Sequence, residues 1–281
     1  MRIKFWGTRG SIPVPGKETT LFGGNTTCLE IILNNGKRVI VDAGTGIRPL
    51  GEYLVSSRKD LNLTLLVTHI HWDHVIGFPF FPPIYDSSAK IEIDGSVNCM
   101  KGLKYIFDNK MGDGFFPIRF DGLKAEIFHR DEIRKGPIEI DGTTVESVPL
   151  QHPQGGYGFR FREGGKSLVF ITDNELTEKA WKGSHPEDFE DFCRDADILI
   201  HDAQYLPEEI GERRGWGHSD YESALDLALN SGVEKLILFH HDPSRTDKQL
   251  GVLLEKCRES AIRKKSDLSI DAAREGSDFI L

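Results

Sequence analysis

The sequence predicts an α/β fold. Short β-rich apolar segments recur along the chain, helical patterns lie between them, and polar residues follow the ends of several apolar segments. The apolar segments are 29–33, 39–41, 63–67, 167–171, 198–200 and 236–239. Strand ends are where an α/β scaffold places its chemistry, so these observations also predict a functional site along one sheet edge.

Helices are expected after Pro49, over 219–230 and from Thr246 to about Ala261. The last of these carries apolar residues at helical spacing, which predicts a face packed on the core. Its apolar residues are Leu250, Leu253, Leu254, Cys257 and Ala261.

Length and composition set the broad class. A chain of 281 residues can form one large α/β domain or two small ones, and because nothing forces a split we predict a single domain over 1–281. No stretch reaches the length of an apolar membrane span, and no signal-peptide core follows Met1. The four cysteines lie far apart without a Cys-x-x-Cys pair, which favours a reducing cytoplasm.

The net charge is acidic. A formal charge of -9 disfavours a broad electrostatic grip on long nucleic acid. A phosphate ligand remains compatible with this balance, because bound divalent cations would reverse the potential inside a pocket.

The most informative motif is the run His69-Ile70-His71-Trp72-Asp73-His74, which directly follows the apolar segment 63–67. Histidines at i and i+2 of an extended segment point the same way, and the following turn can bring in the Asp and the last His. A solvated polar loop is the alternative, but this pattern has few structural uses. The run therefore predicts a metal site.

Further candidates at strand ends complete a ligand set for two ions. A two-metal hydrolase needs about seven protein ligands, one of which bridges the ions. The predicted ligands are His69, His71 and His152 for one ion, Asp73, His74 and His240 for the other, and Asp173 as the bridge. We choose His240 rather than His241 because neighbours on an extended segment point to opposite sides.

The order of these motifs resembles the metallo-β-lactamase superfamily, and within it the phosphodiesterase branch that includes ribonuclease Z. The matching residues are Val41-Asp42-Ala43-Gly44-Thr45-Gly46, the motif at 69–74, His152, Asp173 and His240. The resemblance covers about residues 5–243 and implies a four-layer αββα sandwich with metals between the edges of its two sheets. It also implies that the chain is an enzyme and that homodimers are possible.

Two later segments narrow the branch. The run His201-Asp202-Ala203-Gln204-Tyr205 is similar to His-Glu-Ala-Thr of ribonuclease Z, and Gly217-His218-Ser219 is similar to its His-Ser-Thr segment. The resemblance implies that Asp202 and His218 act together as a proton donor to the leaving group. A histidine held by a carboxylate can protonate a departing alkoxide, which makes chemical sense of the pair.

The middle of the chain departs from the resemblance. Ribonuclease Z projects a long arm that grips tRNA, whereas residues 90–140 here are expected to form a compact loop and strands, with Phe115 and Phe116 in the core. Together with the acidic charge, this argues against long structured RNA. A small phosphodiester or nucleotide is the better prediction.

Three further assignments are secondary, and two of them keep alternatives open. Asp42 is either an acceptor that orients a histidine or a turn residue before Gly44. The loop 7–11 is expected to be a tight turn beside the site. Arg213, Arg214 and Trp216 either bind phosphate and a base or form a solvated loop.

The sequence therefore predicts a metal-dependent phosphodiesterase. A metal-bridging hydroxide, oriented partly by Asp73, would attack phosphorus. Zinc is the first expectation for both ions, with manganese or iron as alternatives. A thioester hydrolase and a non-catalytic metal-centred sensor are the rival functions.

Overall fold

The computed structural model of the protein describes residues 1–96, 99–111, 117–176 and 184–281. The expectation for Phe115 and Phe116 lies outside the described residues. Around them, the region 90–140 contains a helix, Cys99–Tyr105, in addition to the expected strands.

The strands follow the apolar segments closely. They are β1 (Arg2–Gly7), β2 (Cys28–Ile32), β3 (Arg38–Val41), β4 (Asn62–Val67), β5 (Lys90–Gly95), β6 (Glu126–His129), β7 (Ile138–Ile140), β8 (Thr143–Pro149), β9 (Tyr157–Glu163), β10 (Lys166–Ile171), β11 (Ile198–Asp202), β12 (Lys235–Phe239), β13 (Ser269–Ala272) and β14 (Asp278–Ile280).

Within the described residues these strands form two seven-stranded mixed sheets. The first has the order β14-β1-β2-β3-β4-β5-β6, and the second has the order β13-β12-β11-β10-β9-β8-β7. In the first sheet the pairs from β14 to β3 are antiparallel and those from β3 to β6 are parallel. The second sheet repeats this division, with β10 to β13 parallel.

The helices lie between the strands as the sequence indicates. They are α1 (Ile47–Ser56), α2 (Trp72–Val75), α3 (Cys99–Tyr105), α4 (Pro186–Cys193), α5 (Ile210–Arg213), α6 (Tyr221–Asn230) and α7 (Asp247–Arg263), with a π-helical turn at Ile106–Met111 and 3₁₀ turns at Phe78–Phe80, Pro82–Tyr85, Phe120–Gly122 and Pro207–Glu209. α1 begins before Pro49 rather than after it, because proline is tolerated in the first turn of a helix. No helix in the described ranges is long and apolar enough to cross a membrane.

The two sheets pack face to face. The rings of Phe5 in the first sheet and Phe239 in the second lie 5.9 Å apart, and Phe239 contacts Phe170 at 5.3 Å. The neighbour of Phe170, Val169, points the other way, into a cluster with Leu225 and Leu254 of α6 and α7. Alternation along each strand thus fills two layers of core at once.

The outer face of the first sheet is covered in the same manner. Ile40 and Leu65 on its strands pack with Ile47 and Leu50 of α1. The order helix, sheet, sheet, helix confirms the predicted four-layer αββα sandwich. The carboxyl ends of β4, β8, β10 and β12 lead into the segments that carry the predicted ligands, and Asp202 is the last residue of β11.

Candidate metal centre and active site

The first group of predicted ligands is a histidine cluster, defined as His69, His71 and His152. One nitrogen from each ring lies within 4.8 Å of the others. His69 and His71 come from the loop after β4 in the first sheet, whereas His152 follows β8 in the second. The Nε2 atom of His152 lies 3.0 Å from Nδ1 of His71, so the two rings aim at one point.

The second group is a carboxylate-rich cluster, defined as Asp73, His74, Asp173 and His240. Its four ligand atoms also lie within 4.8 Å of one another, and all four residues are buried. Nε2 of His240 is 3.2 Å from the same Oδ2 atom of Asp173 that lies 3.1 Å from His74. First-sheet and second-sheet residues again contribute together.

Asp173 lies between the clusters. Its Oδ1 atom is 3.7 Å from Nε2 of His69, while its Oδ2 atom faces His74 and His240. One carboxylate thus presents an oxygen to each group of ligands. This is the placement that the sequence predicts for a bridging ligand.

The arrangement fits divalent metal ions. The Nε2 atom of His69 is buried and makes no hydrogen bond within the described part of the chain. Buried polar atoms without a partner cost free energy unless something else binds them. Imidazole nitrogens and carboxylate oxygens converging at this spacing are a donor set that divalent cations bind.

The histidines of the two clusters differ in charge. Burial, reinforced by the neighbouring His74, lowers the pKa of His69 well below its usual value, and burial lowers the pKa of His152 to about 4. Burial also acts against a charged His74, but Asp173, Asp73 and Asp42 outweigh it and raise its pKa well above the usual value. The histidine cluster is therefore neutral at His69 and His152, while His74 carries a proton.

The acidic members are ionised. Burial alone would raise the pKa of Asp73 and of Asp173, but the surrounding histidines, His74 foremost for Asp73 and His240 foremost for Asp173, hold both well below the usual value. The carboxylates are thus in the form that a cation binds.

Asp42 accepts a hydrogen bond from a histidine, which is the first of the two alternatives that the sequence leaves open for it. Its Oδ2 atom accepts a hydrogen bond from Nδ1 of His74 at 2.8 Å, and Oδ1 accepts from the backbone N–H of Thr68 at 2.8 Å. A carboxylate on the far ring nitrogen fixes the imidazole and leaves Nε2 facing the cluster.

Three of the site residues have left-handed backbone conformations, which residues other than glycine rarely adopt. Asp42, Asp173 and His240 have φ values of 63°, 54° and 56°, and each directly follows or closely follows a strand. Such conformations cost on the order of 1–3 kcal/mol each and concentrate at functional sites. The backbone turns sharply here and directs the side chains inward.

The pair Asp202 and His218 lies beside the carboxylate-rich cluster. Nδ1 of His218 is 2.7 Å from Oδ2 of Asp202 and 3.9 Å from Oδ1 of Asp173. The His218 ring stacks on His240 with centroids 5.0 Å apart. The structure thus brings the predicted proton donor to the ligands.

Comparisons with known proteins agree with this geometry. The Beta-lactamase superfamily domain matches residues 37–241, most of the chain. The chain belongs to this superfamily. It is similar to ribonuclease Z of Archaeoglobus fulgidus, with 24% identity over 92% of each chain.

Solved structures show the same superfamily fold. Human tRNase Z, short form, has a TM-score of 0.68 at 17% identity and covers 100% of this chain and 99% of its own. Yeast PDE1 has a TM-score of 0.70 at 15% identity with the same coverage. At these identities the structural likeness establishes the fold.

Two glutamines that the sequence did not single out contact predicted ligands. Oε1 of Gln154 lies 2.6 Å from Nε2 of His71, and Oε1 of Gln204 lies 2.9 Å from Nδ1 of His240. Each amide occupies the ring nitrogen that faces away from the cluster. Gln204 lies in the segment 201–205, but nothing in that segment or around Gln154 indicates these contacts, because an amide can orient a histidine from any loop that reaches it.

The loop 7–11 is a tight turn at the site, as the sequence predicts. The backbone N–H of Ser11 donates to Oδ2 of Asp73 at 2.7 Å. A Cβ on Gly10 would lie 2.4 Å from the ring of His240, so only glycine fits there. The buried Arg9 holds the loop by donating to the carbonyls of Gly23, Asp242 and Arg245.

The neighbouring residue His241 points away from the clusters, as the choice of His240 requires. Its Nε2 atom lies 2.8 Å from the carbonyl oxygen of Ala273. Burial lowers its pKa to about 3, so this histidine is neutral.

The three predicted substrate-binding residues lie in different surroundings. The guanidinium of Arg213 lies 4.6 Å from the ring centroid of Tyr205 and 3.3 Å from Glu209, so protein groups already engage it. Arg214 and Trp216 are exposed on the same loop. The carboxylate of Glu175 fixes this loop by accepting from the backbone N–H groups of Gly215 and Gly217.

Proposed function

We propose that this protein is a metal-dependent hydrolase of small phosphodiesters. The observation that carries the proposal is the buried pair Asp202 and His218, which lies against the ligand clusters with a 2.7 Å contact between its carboxylate and its imidazole. The names of the similar proteins, ribonuclease Z, tRNase Z and PDE1, support the same class of reaction.

The histidine cluster and the carboxylate-rich cluster would each hold one divalent ion, with Asp173 shared between them. When bound, such ions withdraw electron density from phosphorus and make a nucleophile from water at neutral pH. Zinc suits imidazole and carboxylate donors, and manganese or iron are alternatives. The positions of Asp73 and Asp173 also place negative charge where a nucleophilic water can be oriented.

His218 would supply the proton for the leaving oxygen. Burial lowers its pKa, but the charge and hydrogen bond of Asp202 outweigh that effect and raise the pKa to about 9. The imidazole is therefore protonated at neutral pH, and Asp202 fixes its orientation. An alkoxide leaves phosphorus slowly without a proton, so the pair fits a diester with a poor leaving group.

The same reasoning disfavours the thioester alternative. A thiolate has a conjugate-acid pKa of about 8.5 and leaves without protonation. A protonated histidine held by a buried carboxylate would add little to that reaction. We therefore keep phosphodiester hydrolysis as the single proposed activity.

The proposal includes the size of the substrate, the cellular compartment and the oligomeric state. The formal charge of -9 supports a small diester or nucleotide rather than long structured RNA. The four cysteines are buried and form no disulfide among the described residues, which supports a reducing compartment such as the cytoplasm. A homodimer is compatible with all of these observations.

The test is turnover of paired diesters by protein reconstituted separately with zinc and with manganese. One diester carries an alkoxide leaving group, the other p-nitrophenolate, and a thioester serves as the control. His218→Ala should lower turnover of the alkyl diester by about 100- to 10,000-fold. The loss on the p-nitrophenyl diester should be much smaller, because that group leaves without a proton.

The metal content per chain must be measured on the same samples. His218→Ala should keep both ions, which separates loss of a proton donor from loss of metal. Equal losses on both diesters would remove the acid role from His218. Silence on every diester, with thioester turnover instead, would overturn the proposed function.

A further inference from the structure

A cleft of about 970 Å³ opens beside the histidine cluster. Its walls include the ligands His69, His71 and Asp73, and also the apolar side chains of Ile70, Trp72 and Tyr157. Binding sites for small molecules combine apolar walls with a few fixed polar groups in this way. The cleft is therefore where a diester would lie when its phosphorus reaches the clusters.

Trp72 differs from the residues on either side of it. It opens α2, whose next three residues, Asp73, His74 and Val75, are buried, yet its own side chain is 51% exposed. Within the described parts of the chain, its indole makes no hydrogen bond and packs against no other ring. The helix thus turns the ligands inward and leaves a large aromatic surface facing the cleft.

The exposure of Trp72 is significant because of where this residue lies. Single exposed apolar side chains are ordinary on protein surfaces. Trp72, however, lies between two predicted ligands in the chain, and Ile70, the other intervening residue of the motif, lines the same cleft at 38% exposure. Consecutive Cα atoms are only about 3.8 Å apart, so the indole is tied closely to the reacting centre.

The walls of the cleft leave room beside the indole. The loop after His152 contributes Gln154, Gly155 and Gly156 to the lining. Gly155 has no atom within 4 Å of the place where a Cβ would lie. A planar ring can thus enter the cleft without meeting a bulky side chain at that position.

We propose that Trp72 is a specificity-determining residue that stacks a planar aromatic group of the diester, such as a nucleobase attached through its sugar to phosphorus. This inference rests on the proposed phosphodiesterase function and adds the substrate class: base-bearing diesters rather than alkyl or abasic ones. Stacking of a base on an aromatic side chain tolerates any base, because every base has a π-face. The preference is for a ring and not for one sequence.

The experiment compares dithymidine phosphate with its analogue in which both bases are replaced by hydrogen. The two diesters have the same charge and the same leaving-group chemistry, so their difference in kcat/KM reports the base alone. The wild-type protein should prefer the base-bearing diester by about 10-fold or more. Trp72→Ala should remove that preference, because kcat/KM falls more for the base-bearing diester than for the abasic one, whereas Trp72→Phe should retain part of it.

Two further variants make the comparison specific. Phe128→Ala removes another exposed aromatic side chain, 45% exposed on β6 outside the cleft, and should keep the full preference. Trp216→Ala tests the other aromatic residue for which the sequence leaves a base-binding role open. Loss of the preference in Trp216→Ala but not in Trp72→Ala would overturn the assignment to Trp72.

The outcomes separate the two proposals. If neither diester is hydrolysed by the metal-loaded wild type, the proposed function fails. If both are hydrolysed but Trp72→Ala slows them equally, or leaves the preference intact, the stacking role fails while the function stands. The metal content of each variant, unchanged from the wild type, shows that the neighbouring ligands are intact.

Discussion

The histidine cluster and the carboxylate-rich cluster use similar ligands in different surroundings. All members of the carboxylate-rich cluster are buried, and Asp42 and Gln204 hold its histidines. In the histidine cluster His71 is only partly buried, and Gln154 at the cleft holds it. The difference indicates a rigid, enclosed site beside an open one, so we expect the carboxylate-rich cluster to bind its ion more tightly.

The largest effect should follow from removing the residue that the two clusters share. Asp173→Ala deletes the carboxylate oxygens that lie 3.7 Å from His69 and 3.1 Å from His74. Both clusters should lose metal, and phosphodiester kcat/KM should fall by more than about 1,000-fold, since a metal pair supplies several kcal/mol of transition-state stabilisation. Turnover and metal per chain are the measurements.

The matched control is Asp195→Ala. Asp195 has the same kind of left-handed backbone, with a φ of 52°, but is exposed and remote from the clusters. Any loss shared by both variants reflects backbone strain rather than ligation. Two retained ions and full turnover in Asp173→Ala would contradict its bridging position.

Asp42→Asn should affect one cluster only. Asparagine tolerates the left-handed backbone at this position, but it removes the charge that holds His74 at 2.8 Å. Partners of this kind are worth about 10- to 100-fold in metal affinity. Chelator competition should show the loss at the carboxylate-rich cluster, and an equal loss at both clusters would argue against the difference between them.

Gln154→Ala should give a smaller effect on the other cluster. The amide at 2.6 Å orients His71 from the edge of the cleft, where water can take its place. We expect affinity at the histidine cluster to fall by about 10-fold, the lower end of the range for such partners. A loss of metal affinity greater than that caused by Asp42→Asn would indicate that the histidine cluster, and not the carboxylate-rich cluster, is the more rigid site.

The number of protons released on metal binding should differ between the two clusters, and this is the smallest of the expected effects. The pKa of His74 is raised well above its usual value, so a metal that binds the carboxylate-rich cluster at pH 7 must displace its proton. The pKa of His69 is well below its usual value and that of His152 is about 4, so these ligands release none at pH 7. Affinity at the carboxylate-rich cluster should therefore weaken as the pH falls.

Titration calorimetry in two buffers of different ionisation enthalpy would count the protons. Release on filling the tighter site and little on filling the weaker one is the expected order. The opposite order would mean that the charges of the two clusters are reversed.

Much of this fold and site could be predicted because their signals are local. The period of apolar residues marks strands such as β4 and β12, and the motif at 69–74 lies directly after one of them. Clustering of His152, Asp173 and His240 also follows, because each closely follows a strand of the second sheet. The roles of the ligands and the single domain stay predictions.

The remaining features depend on contacts across the fold. Gln154 and His71 are distant in sequence, and nothing in either segment indicates their hydrogen bond. The same holds for the two tryptophans: Trp216 lies next to two arginines and attracts a binding role, while Trp72 lies inside the metal motif. Only the packing of α2 shows which side chain faces the cleft.

Each cluster combines predicted ligands from both sheets. The stability of the folded chain should therefore depend on the concentration of free metal. An ion held by His71 and His152, or by His74 and Asp173, would fasten one sheet to the other. At a free metal concentration 100 times the dissociation constant, such binding stabilises a folded chain by about 2.7 kcal/mol. Protein molecules synthesised when metal is scarce would unfold more often and be degraded first by proteases. Degradation would thus remove the molecules that lack metal and are inactive.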